Sequence, residues 1–424
     1  MIFKTMKMIH TSDWHLGQNF MFKDRKKEHE KFLEWLVLLI KKESADVLIV
    51  AGDIFDTISP PNYALKMYYS FLARVSSTTS CHIVIVGGNH DSVSTLNAPK
   101  NILEALNVHV KGGFSGNIDD EVIVIKNNFG EPSGIICAVP FLRDRDIRKS
   151  FPGESYQEKS RALLEGIKKH YELVKEAAIK KKAGLTGKKI PVVATGHLFT
   201  EGGEVKDEEG LREIYVGSLG KVAADTFPKE FNYVALGHLH RPQKVGEYRN
   251  IRYSGAPIPL SFSEADNTKQ VVCITFDEEE KEPEIKTIAI PEFQKLRTVK
   301  GSLDQVITQL KALGRKNADD PIWVEVSVLA ETWKPDIESA INDLANELEL
   351  DILAIKNLRS SRDRRLQKAS PSETLDDFTP ESVFQKRLEK EIEIEEDLKN
   401  DLMHAFHEIQ HAVNESAEDF HESS

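Results

Sequence analysis

Five short apolar runs in this chain each end in residues that can bind a metal ion, and this ordered series constrains the fold most strongly. The runs lead into "SDWHLG", "AGD", "GGNHD", "ATGH" and "ALGHLH", in that order. Apolar runs of this length, bounded by glycine and by polar residues, are typical of buried strands. The candidate ligands at the strand ends are Asp13, His15, Asp53, Asn89, His197, His238 and His240.

These strand ends are expected to meet at one crevice, because ligand sites in open α/β sheets form beyond the carboxyl ends of the strands. Asp13 and His15 are two residues apart, as are His238 and His240, so each pair on one strand would point the same way. Each motif alone is weak, since an Asp after a strand is usually a turn residue. Their joint order predicts a site for two metal ions, about 3.5–4 Å apart and bridged by Asp53.

The alternation of strands and helices predicts the main domain. The first three strands are separated by amphipathic helices, which indicates a parallel core sheet. Later strands, including "PVVATGHLF" and "QVVCITF", have fewer helices between them and suggest a second, more antiparallel sheet packed on the first. We therefore expect an α/β fold with two sheets flanked by helices over residues 1–285.

The character of the sequence changes after the main domain. A strand–helix–strand–helix–strand pattern predicts a small α/β module over residues 290–358, and the Ser-rich stretch 359–378 is typical of a linker. Thr379 and Pro380 predict the start of C-terminal helices over 379–414. The apolar stripe of these helices includes Val383, Phe384, Leu388, Leu398, Leu402 and Phe406.

Composition says more about the cellular compartment of the protein than about its binding partner. The 424 residues carry a formal net charge of −12, which by itself gives no reason to expect nucleic acid, and basic clusters are by default solvated surface. Three scattered cysteines without a CxxC motif argue against a thiolate metal site and suit a reducing cytoplasm. No apolar run reaches the length of a membrane span, and the first residues lack a signal-peptide pattern. We expect a cytoplasmic protein.

Taken together, these motifs resemble those of the calcineurin-like metallophosphoesterases. Within that superfamily, "HTSDWHLGQ", "YVALGHLHRPQ", "RYSGAPIPLSFSEA" and "TPESVFQKRL" are similar, in the same order, to segments of the bacterial DNA double-strand-break nucleases. The resemblance covers essentially the whole chain, residues 110–185 being the least recognisable, and no ligand position departs from the pattern.

The resemblance implies how the ligands divide between two ions. One ion would be held by Asp13, His15, Asp53 and His240, and the other by Asp53, Asn89, His197 and His238. A mixed set of oxygen and nitrogen ligands suits Mn²⁺, which the family also uses, whereas Mg²⁺ binds less well among so many nitrogens. Zn²⁺ favours fewer, tetrahedral ligands. The expected cofactors are two Mn²⁺ ions.

Three residues beside the ligands have roles that follow from this scheme. His90 adjoins Asn89 but is not a ligand, so it is the candidate proton donor to the leaving oxygen. Asp56, in "GDIFD", would orient His90 or the substrate, or it is only a cap or turn residue. Asp91 would hydrogen-bond the loop or a ligand.

The resemblance implies a DNA nuclease, a 3′–5′ exonuclease on duplex DNA and an endonuclease on single-stranded or hairpin DNA, in repair, replication and recombination. Ser/Thr phosphatases of the superfamily carry arginines in "GDxxDRG" and "RGNHE" that bind a phosphomonoester; here "GDIFDTI" and "GGNHDS" lack them, which favours a phosphodiester. The module at 290–358 resembles the family's DNA-facing cap. Candidate DNA contacts after it are Arg359, Arg362, Arg364 and Arg365, with ordinary linker as the alternative.

The same resemblance implies protein partners. The helices over 379–414 would dock on the coiled-coil base of an ATPase subunit, although an amphipathic pair can also pack on its own domain. Nuclease subunits would pair through the phosphoesterase domain to give a heterotetramer with the ATPase. Two other function classes stay open: a two-metal enzyme acting on small phosphoesters, and a scaffold with a vestigial site, against which the intact ligand set argues.

Overall fold

The computed structural model describes residues 6–148, 154–185, 189–202, 222–277, 282–314, 321–330, 335–358 and 403. The chain divides into two compact units, Met1–Lys356 and Asn357–Ser424. Two sets of predicted contact residues lie outside the described residues: Arg359, Arg362, Arg364 and Arg365 at the linker, and Val383, Phe384, Leu388, Leu398, Leu402 and Phe406 in the C-terminal helices.

The elements of the described residues are as follows. The strands are β1 (Met6–Thr11), β2 (Asn19–Phe20), β3 (Lys23–Asp24), β4 (Val47–Ala51), β5 (His82–Val86), β6 (Val108–Lys111), β7 (Val122–Lys126), β8 (Pro132–Cys137), β9 (Val192–His197), β10 (Tyr233–Gly237), β11 (Gln243–Val245), β12 (Tyr248–Tyr253), β13 (Gln270–Phe276), β14 (Glu284–Ala289), β15 (Leu296–Gly301), β16 (Ile322–Val328) and β17 (Leu350–Asn357). The α-helices are α1 (Lys26–Glu43), α2 (Asn62–Thr78), α3 (Val93–Asn97), α4 (Lys100–Glu104), α5 (Asp144–Ile147), α6 (Tyr156–Ala183), α7 (Leu303–Leu313) and α8 (Pro335–Glu347).

The first large sheet has the strand order β14-β13-β1-β4-β5-β6. Strands β1, β4 and β5 are parallel, as predicted; β6 extends the parallel part, and β13 and β14 run antiparallel at the other edge. Alternate residues of a strand face opposite sides, so β4 buries both of its faces. Leu48 and Val50 pack with α1 and α2, whereas Val47, Ile49 and Ala51 pack against the second sheet.

The second large sheet, β11-β12-β10-β9-β8-β7, differs from its prediction in two ways. Its central strands β12, β10, β9 and β8 are parallel and only β11 and β7 are antiparallel, so the expectation of a more antiparallel sheet is wrong. β13, expected here, pairs instead with β1. Helix α6 is the physical reason for the first error, because this crossover covers the outer face and returns the chain for parallel pairing of β8 with β9.

The two sheets thus form an α/β/β/α sandwich, and a smaller α/β module follows it. In that module β15-β16-β17 form a sheet with β15 and β16 parallel, and α7 and α8 lie between the strands in sequence. Its own buried core includes Val299, Val306, Val324 and Ile341. The pattern of strands and helices matches the sequence prediction. Within the described residues, none of the helices combines the length and the apolar character needed to cross a membrane.

Candidate metal centre

The seven predicted ligands lie at the carboxyl ends of strands from both large sheets. The first sheet contributes the residues that follow β1, β4 and β5, and the second contributes the end of β9 and the residues after β10. The ligands from the first sheet are Asp13, His15, Asp53 and Asn89, and those from the second are His197, His238 and His240.

Two hydrogen bonds tie the sheets together at this edge. His197 Nδ1–H donates to the Ala51 carbonyl at 2.9 Å, and the His238 N–H donates to Asp13 Oδ1 at 2.8 Å. Both bonds involve a predicted ligand and a group from the opposite sheet. Packing of the two sheets therefore assembles the site, and neither sheet contains it alone.

Four of the candidate ligands have a left-handed backbone. The φ angles of Asp13, His15, Asp53 and His238 are 54°, 46°, 50° and 97°. This region costs roughly 1–2 kcal/mol for a residue with a Cβ, and such strain concentrates at functional sites. Asp13 and His15 reach the same cluster, as expected, but the reason given for it is wrong, because β1 ends at Thr11 and the two residues do not share a strand. Left-handed turns direct both side chains into the site instead.

One cluster of ligand atoms joins Asp13, His15 and His240, with one atom from each residue within 4.8 Å of the others. Asp53 Oδ2 lies 3.6 Å from His15 Nε2. Both ring nitrogens of His15 and Nδ1 of His240 are buried without a hydrogen-bond partner among the described residues. Buried imidazole nitrogens that have no hydrogen-bond partner and lie beside carboxylates are suited to bind a divalent cation. The four residues match the first ion implied by the sequence.

A second cluster joins Asn89, His197 and His238. Asn89 Oδ1 lies 3.0 Å from His197 Nε2 and 3.1 Å from His238 Nδ1. Asp53 Oδ2 lies 3.2 Å from the same His197 nitrogen. The bond from His197 Nδ1 to the Ala51 carbonyl leaves Nε2 of the neutral ring as an acceptor, which is the usual support for a metal-binding histidine. These residues match the second implied ion.

Asp53 lies between the two clusters. Its Oδ2 is within 3.6 Å of imidazole nitrogens from both, and its Oδ1 accepts the His90 N–H at 3.0 Å. Asp13 also has an atom within 4.8 Å of ligand atoms of Asp53 and His197, although the sequence scheme gave Asp13 to one ion only. The position of Asp53 is the one that a carboxylate shared by two ions would need.

The carboxylates dominate the electrostatics of the site. Burial disfavours protonated imidazoles, yet the neighbouring aspartates outweigh it and raise the pKa of His15 and of His197 to about 9. Burial likewise opposes ionisation of Asp53, but His197 and His15 hold its pKa well below the usual range. The site therefore attracts positive charge, which divalent cations would supply with the imidazoles neutral. The donor set fits two such cations.

Two glycines leave room for these ligands. A Cβ on Gly88 would lie 2.1 Å from Asp53 Oδ1, and a Cβ on Gly52, whose φ is 91°, would lie 2.1 Å from His197 Nδ1. Real Cβ atoms do not approach other atoms this closely, so any side chain at either position would displace a ligand. The glycines of "AGD" and "GGNHD" are thus required by the ligand geometry.

His90, Asp56 and Asp91 surround the clusters in distinct ways. His90 Nδ1–H donates to the Asp56 carbonyl at 2.9 Å, and the His90 ring lies edge-on to His15, with centroids 5.0 Å apart. The Asp56 carboxylate is 3.2 Å from His15 Nδ1, so its side chain faces a ligand while its backbone orients His90. Asp91 is buried and accepts N–H groups of Gly88, Ile54 and Phe55 at 2.9–3.1 Å.

The structure adds a buried acidic residue that the sequence reasoning missed. Glu264 Oε1 lies 3.6 Å from His240 Nδ1, and the Glu264 side chain is also paired with Lys269. Lys269 Nζ in turn donates to the His240 carbonyl at 3.3 Å. In the sequence, Glu264 is a charged residue of the "LSFSEA" segment. That segment is part of the resemblance to the nuclease family, but none of the metal-ligand motifs includes it. Glu264 is placed to hold the His240 ring.

Comparison with known proteins agrees with this geometry. Residues 6–242 match the family model described as calcineurin-like phosphoesterase, and residues 292–391 match one described as type 5 capsule protein repressor C-terminal domain. The chain is 36% identical over 408 residues to the SbcD subunit of the nuclease SbcCD of Escherichia coli K12, covering 96% of this chain and 98% of that protein. The chain belongs to the SbcD family of calcineurin-like phosphoesterases.

A further SbcD relative matches this chain over a shorter span. The SbcD nuclease subunit of Bacillus subtilis is 31% identical over 270 residues, which are 63% of this chain and 66% of that protein. A crystal structure of a dimetal phosphatase from Danio rerio covers 68% of this chain and 99% of its own, with 12% identity and a TM-score of 0.35, too low to define a shared fold alone. Membership of the phosphoesterase family implies a dinuclear metal site and metal-dependent phosphodiester hydrolysis.

Proposed function

We propose that this chain is the nuclease subunit of an SbcCD-type complex and hydrolyses DNA phosphodiesters with two Mn²⁺ ions. Its proposed activities are 3′–5′ exonuclease on duplex DNA and endonuclease on single-stranded or hairpin DNA, in repair, replication and recombination. The observation that carries the proposal is Asp53 Oδ2, which lies 3.6 Å from His15 Nε2 and 3.2 Å from His197 Nε2. Relatives at 36% and 31% identity are named as nucleases, which supports the substrate class.

The ligands proposed for the two ions follow the two clusters. Asp13, His15, Asp53 and His240 would hold one, and Asp53, Asn89, His197 and His238 the other. When bound, the ions would lower the pKa of a shared water and neutralise the phosphate oxygens. Their nitrogen-rich surroundings favour Mn²⁺ over Mg²⁺, which we expect to support weaker activity.

Three residues beside the ligands would orient the site and supply a proton to the leaving group. The His90 Nδ1–H is committed to the Asp56 carbonyl, so Nε2 is the nitrogen that would carry a proton to the leaving sugar oxygen. The Asp56 carboxylate faces His15 rather than His90, with 3.2 Å between Asp56 Oδ1 and His15 Nδ1. Asp91 holds the backbone of two ligand loops through its three accepted N–H bonds.

A phosphodiester rather than a monoester is proposed as the substrate. A monoester carries an additional negative charge, which related phosphatases bind with the arginines of their "GDxxDRG" and "RGNHE" motifs. This chain has Thr57 and Gly87 in the corresponding segments "GDIFDTI" and "GGNHDS". Without those cations the mouth of the site is better matched to a diester with one charge.

The proposed partners are DNA, the SbcC ATPase and a second copy of this chain. We propose a nuclease domain at 1–285, a DNA-facing module at 290–358, a linker at 359–378 and SbcC-docking helices at 379–414. Pairing of two copies is supported by the apolar side chains of Ile102 and Leu106, on and just after α4, which are 73% and 38% exposed. Two copies with their ATPase subunits would form a heterotetramer.

End-labelled duplex and hairpin DNA, incubated with the full-length chain with and without SbcC and ATP, test the proposal. We expect Mn²⁺-dependent cleavage, slower cleavage with Mg²⁺ and none with EDTA. Hydrolysis of small phosphoesters without DNA cleavage would instead assign a small-molecule phosphodiesterase. A chain shortened to residues 1–377 should cleave a small diester but fail to co-purify with SbcC; co-purification would refute the proposed docking helices.

A further inference from the structure

The hairpin that follows the first ligand loop, residues 12–17 with the sequence "SDWHLG", carries a fully exposed aromatic side chain. Strands β2 and β3 pair Phe20 with Lys23, which leaves Met21 and Phe22 as a two-residue turn. Phe22 is 105% exposed and Met21 is 39% exposed. An isolated exposed apolar side chain is common, but this one stands at the tip of a hairpin that begins four residues after His15.

The conformation of the turn is also unfavourable for these residue types. Met21 and Phe22 have φ angles of 47° and 66°, so both are left-handed, as in a type I′ turn. Such turns strongly prefer Asn-Gly or Gly-Gly, because residues with a Cβ are strained there. Neither hairpin stability nor solubility explains Met-Phe at this position, so the pair is better explained by a contact made at the tip.

The base of the hairpin is held firmly, so the tip is presented in a fixed position. Phe20 is 5% exposed and stacks on Trp323 of the α/β module, with ring centroids 5.9 Å apart and planes at 5°. It also packs against Phe262 at 5.1 Å. Lys23 forms an ion pair with Asp351 at 2.9 Å. The two tip residues are thus the exposed end of a braced projection.

The tip follows the first ligand loop within a few residues, and the chain then enters a groove rich in lysine. Phe22 lies seven positions after His15, which limits the distance between their Cα atoms to about 25 Å, or roughly seven base steps of DNA. Beyond the hairpin, a groove of about 430 Å³ runs between α1 and α2. Tyr63 lines it and donates to the Gly17 carbonyl in the first ligand loop at 3.3 Å, which joins the groove to the site.

The charge of this groove suits a phosphate backbone. Its lining includes Lys26, Lys27, Lys31, Lys66 and Arg74, against two acidic side chains, so its balance is basic in a chain whose net charge is −12. A basic groove combined with an aromatic side chain that stacks on bases is the usual way proteins bind a nucleic acid strand without reading its sequence.

We propose that Phe22 stacks on a nucleobase of the DNA led to the metal centre, while the lysines between α1 and α2 bind phosphates of the same strand. This inference rests on the proposed nuclease function and adds a residue that positions the substrate. The rigid single ring and the basic groove beside it match a nucleic acid strand better than a protein surface. The test must therefore distinguish a contact of Phe22 with DNA from a contact with the ATPase subunit.

The test compares substitutions at Phe22 with a matched control. Phe22→Ala removes the ring, Phe22→Leu keeps the apolar character without it, and Phe22→Trp restores a stacking surface. Phe129→Ala is the control, because Phe129 is 87% exposed at the β7–β8 turn, at the amino end of β8 and hence at the opposite end of the sheet from the ligands. Binding is measured in EDTA with duplexes that carry 2-aminopurine near one end.

We expect Phe22→Ala and Phe22→Leu to raise the Kd for DNA about tenfold and to abolish the fluorescence change of the 2-aminopurine. Phe22→Trp should restore both, and Phe129→Ala should match the unaltered chain. With Mn²⁺, the ratio of DNA cleavage to bis(p-nitrophenyl) phosphate hydrolysis should fall to the same extent in the Ala and Leu variants.

Several outcomes would overturn the assignment. Equal DNA affinity of Phe22→Ala and the unaltered chain would do so while leaving the nuclease function intact. Loss of SbcC binding with unchanged DNA affinity would show that the tip is a protein contact. If the unaltered chain cleaves no DNA with Mn²⁺, the proposed function fails and this inference fails with it.

Discussion

The two halves of the metal centre differ in chemistry. The half on the first sheet provides both carboxylates and the amide, from Asp13, Asp53 and Asn89, together with one imidazole, His15. The half on the second sheet provides imidazoles alone, through His197, His238 and His240. One sheet thus concentrates negative charge, and the other offers neutral nitrogens when the imidazoles are unprotonated. The site becomes complete only when the sheets pack against each other.

The two halves also differ in the hydrogen-bonding groups that orient their ligands. On the first sheet, carboxylates are held by N–H donors, as when Asp53 accepts from His90 and Asp13 from His238. On the second sheet, imidazoles are oriented by acceptors, the Ala51 carbonyl at His197 and Glu264 near His240. Because each half depends on different supporting groups, substitutions in the two halves should affect metal binding and hydrolysis differently.

The largest effect is expected at Asp53, the residue that both clusters share. Asp53→Asn removes the bridging charge while keeping nearly the same shape, so we expect hydrolysis to fall at least about 1,000-fold. Calorimetry should find fewer than two bound Mn²⁺ per chain. Asp119→Asn, at an exposed position outside the site, is the control. Two bound ions and near-normal rates in Asp53→Asn would contradict its bridging role.

The second largest effect is expected at His90, which belongs to neither half. His90→Ala should keep two Mn²⁺ bound, because its ring contacts His15 edge-on without being a ligand. Loss of a proton donor typically lowers kcat by about 10²–10⁴-fold. Titration of Mn²⁺ and single-turnover cleavage of DNA measure the two quantities separately. Full metal occupancy with unchanged single-turnover cleavage would remove His90 from the mechanism.

The sequence predicted which loops would meet, because that information is local. A ligand at the end of an apolar strand can be recognised from a few adjacent residues, and parallel strands place their carboxyl ends at one edge. The motifs of Asp53, Asn89 and His197 led to the right loops in this way. The long helix α6 was readable by the same kind of rule but was missed, although Leu163, Ile167 and Val174 follow helical spacing.

Non-local features of the site could not be predicted in that way. The left-handed backbone at Asp13 and His15 is imposed by the surrounding fold, so a period-two rule for strands failed there. The pairing of β13 with β1 depends on a return of the chain across more than 250 residues, which no local pattern records. Glu264 was missed because it supports a ligand without resembling one.

A smaller effect is expected at Glu264, which orients the second half. Glu264→Gln keeps the shape but removes the charge facing His240 Nδ1, so we expect Mn²⁺ affinity to fall about 10–100-fold at one of two sites. Stepwise calorimetric titration should resolve one weakened and one unaltered site. Glu284→Gln, at an exposed edge-strand position, serves as the control. Equal weakening of both sites would argue for a general loss of stability instead.

The smallest effect concerns the contact between the halves below the site. His10 on β1 lies with its Nδ1 3.0 Å from the Tyr233 hydroxyl on β10, so it joins the two sheets. Burial lowers the pKa of His10 from 6.5 to about 3. Since the unfolded chain takes up this proton at higher pH than the folded chain, the stability that depends on neutral His10 is complete above pH 6.5 and is lost as the pH falls toward 3.

Denaturant unfolding between pH 7 and pH 4 tests this linkage. A single group of this kind adds at most about 1.4 kcal/mol of unfolding free energy per pH unit, so His10→Gln should reduce the pH slope by up to that amount. His29, whose pKa burial also lowers to about 3, should keep part of the slope, and the double substitution should flatten it further. Identical pH slopes of the unfolding free energy for His10→Gln and the unaltered chain would show that protonation of His10 does not contribute to acid destabilisation.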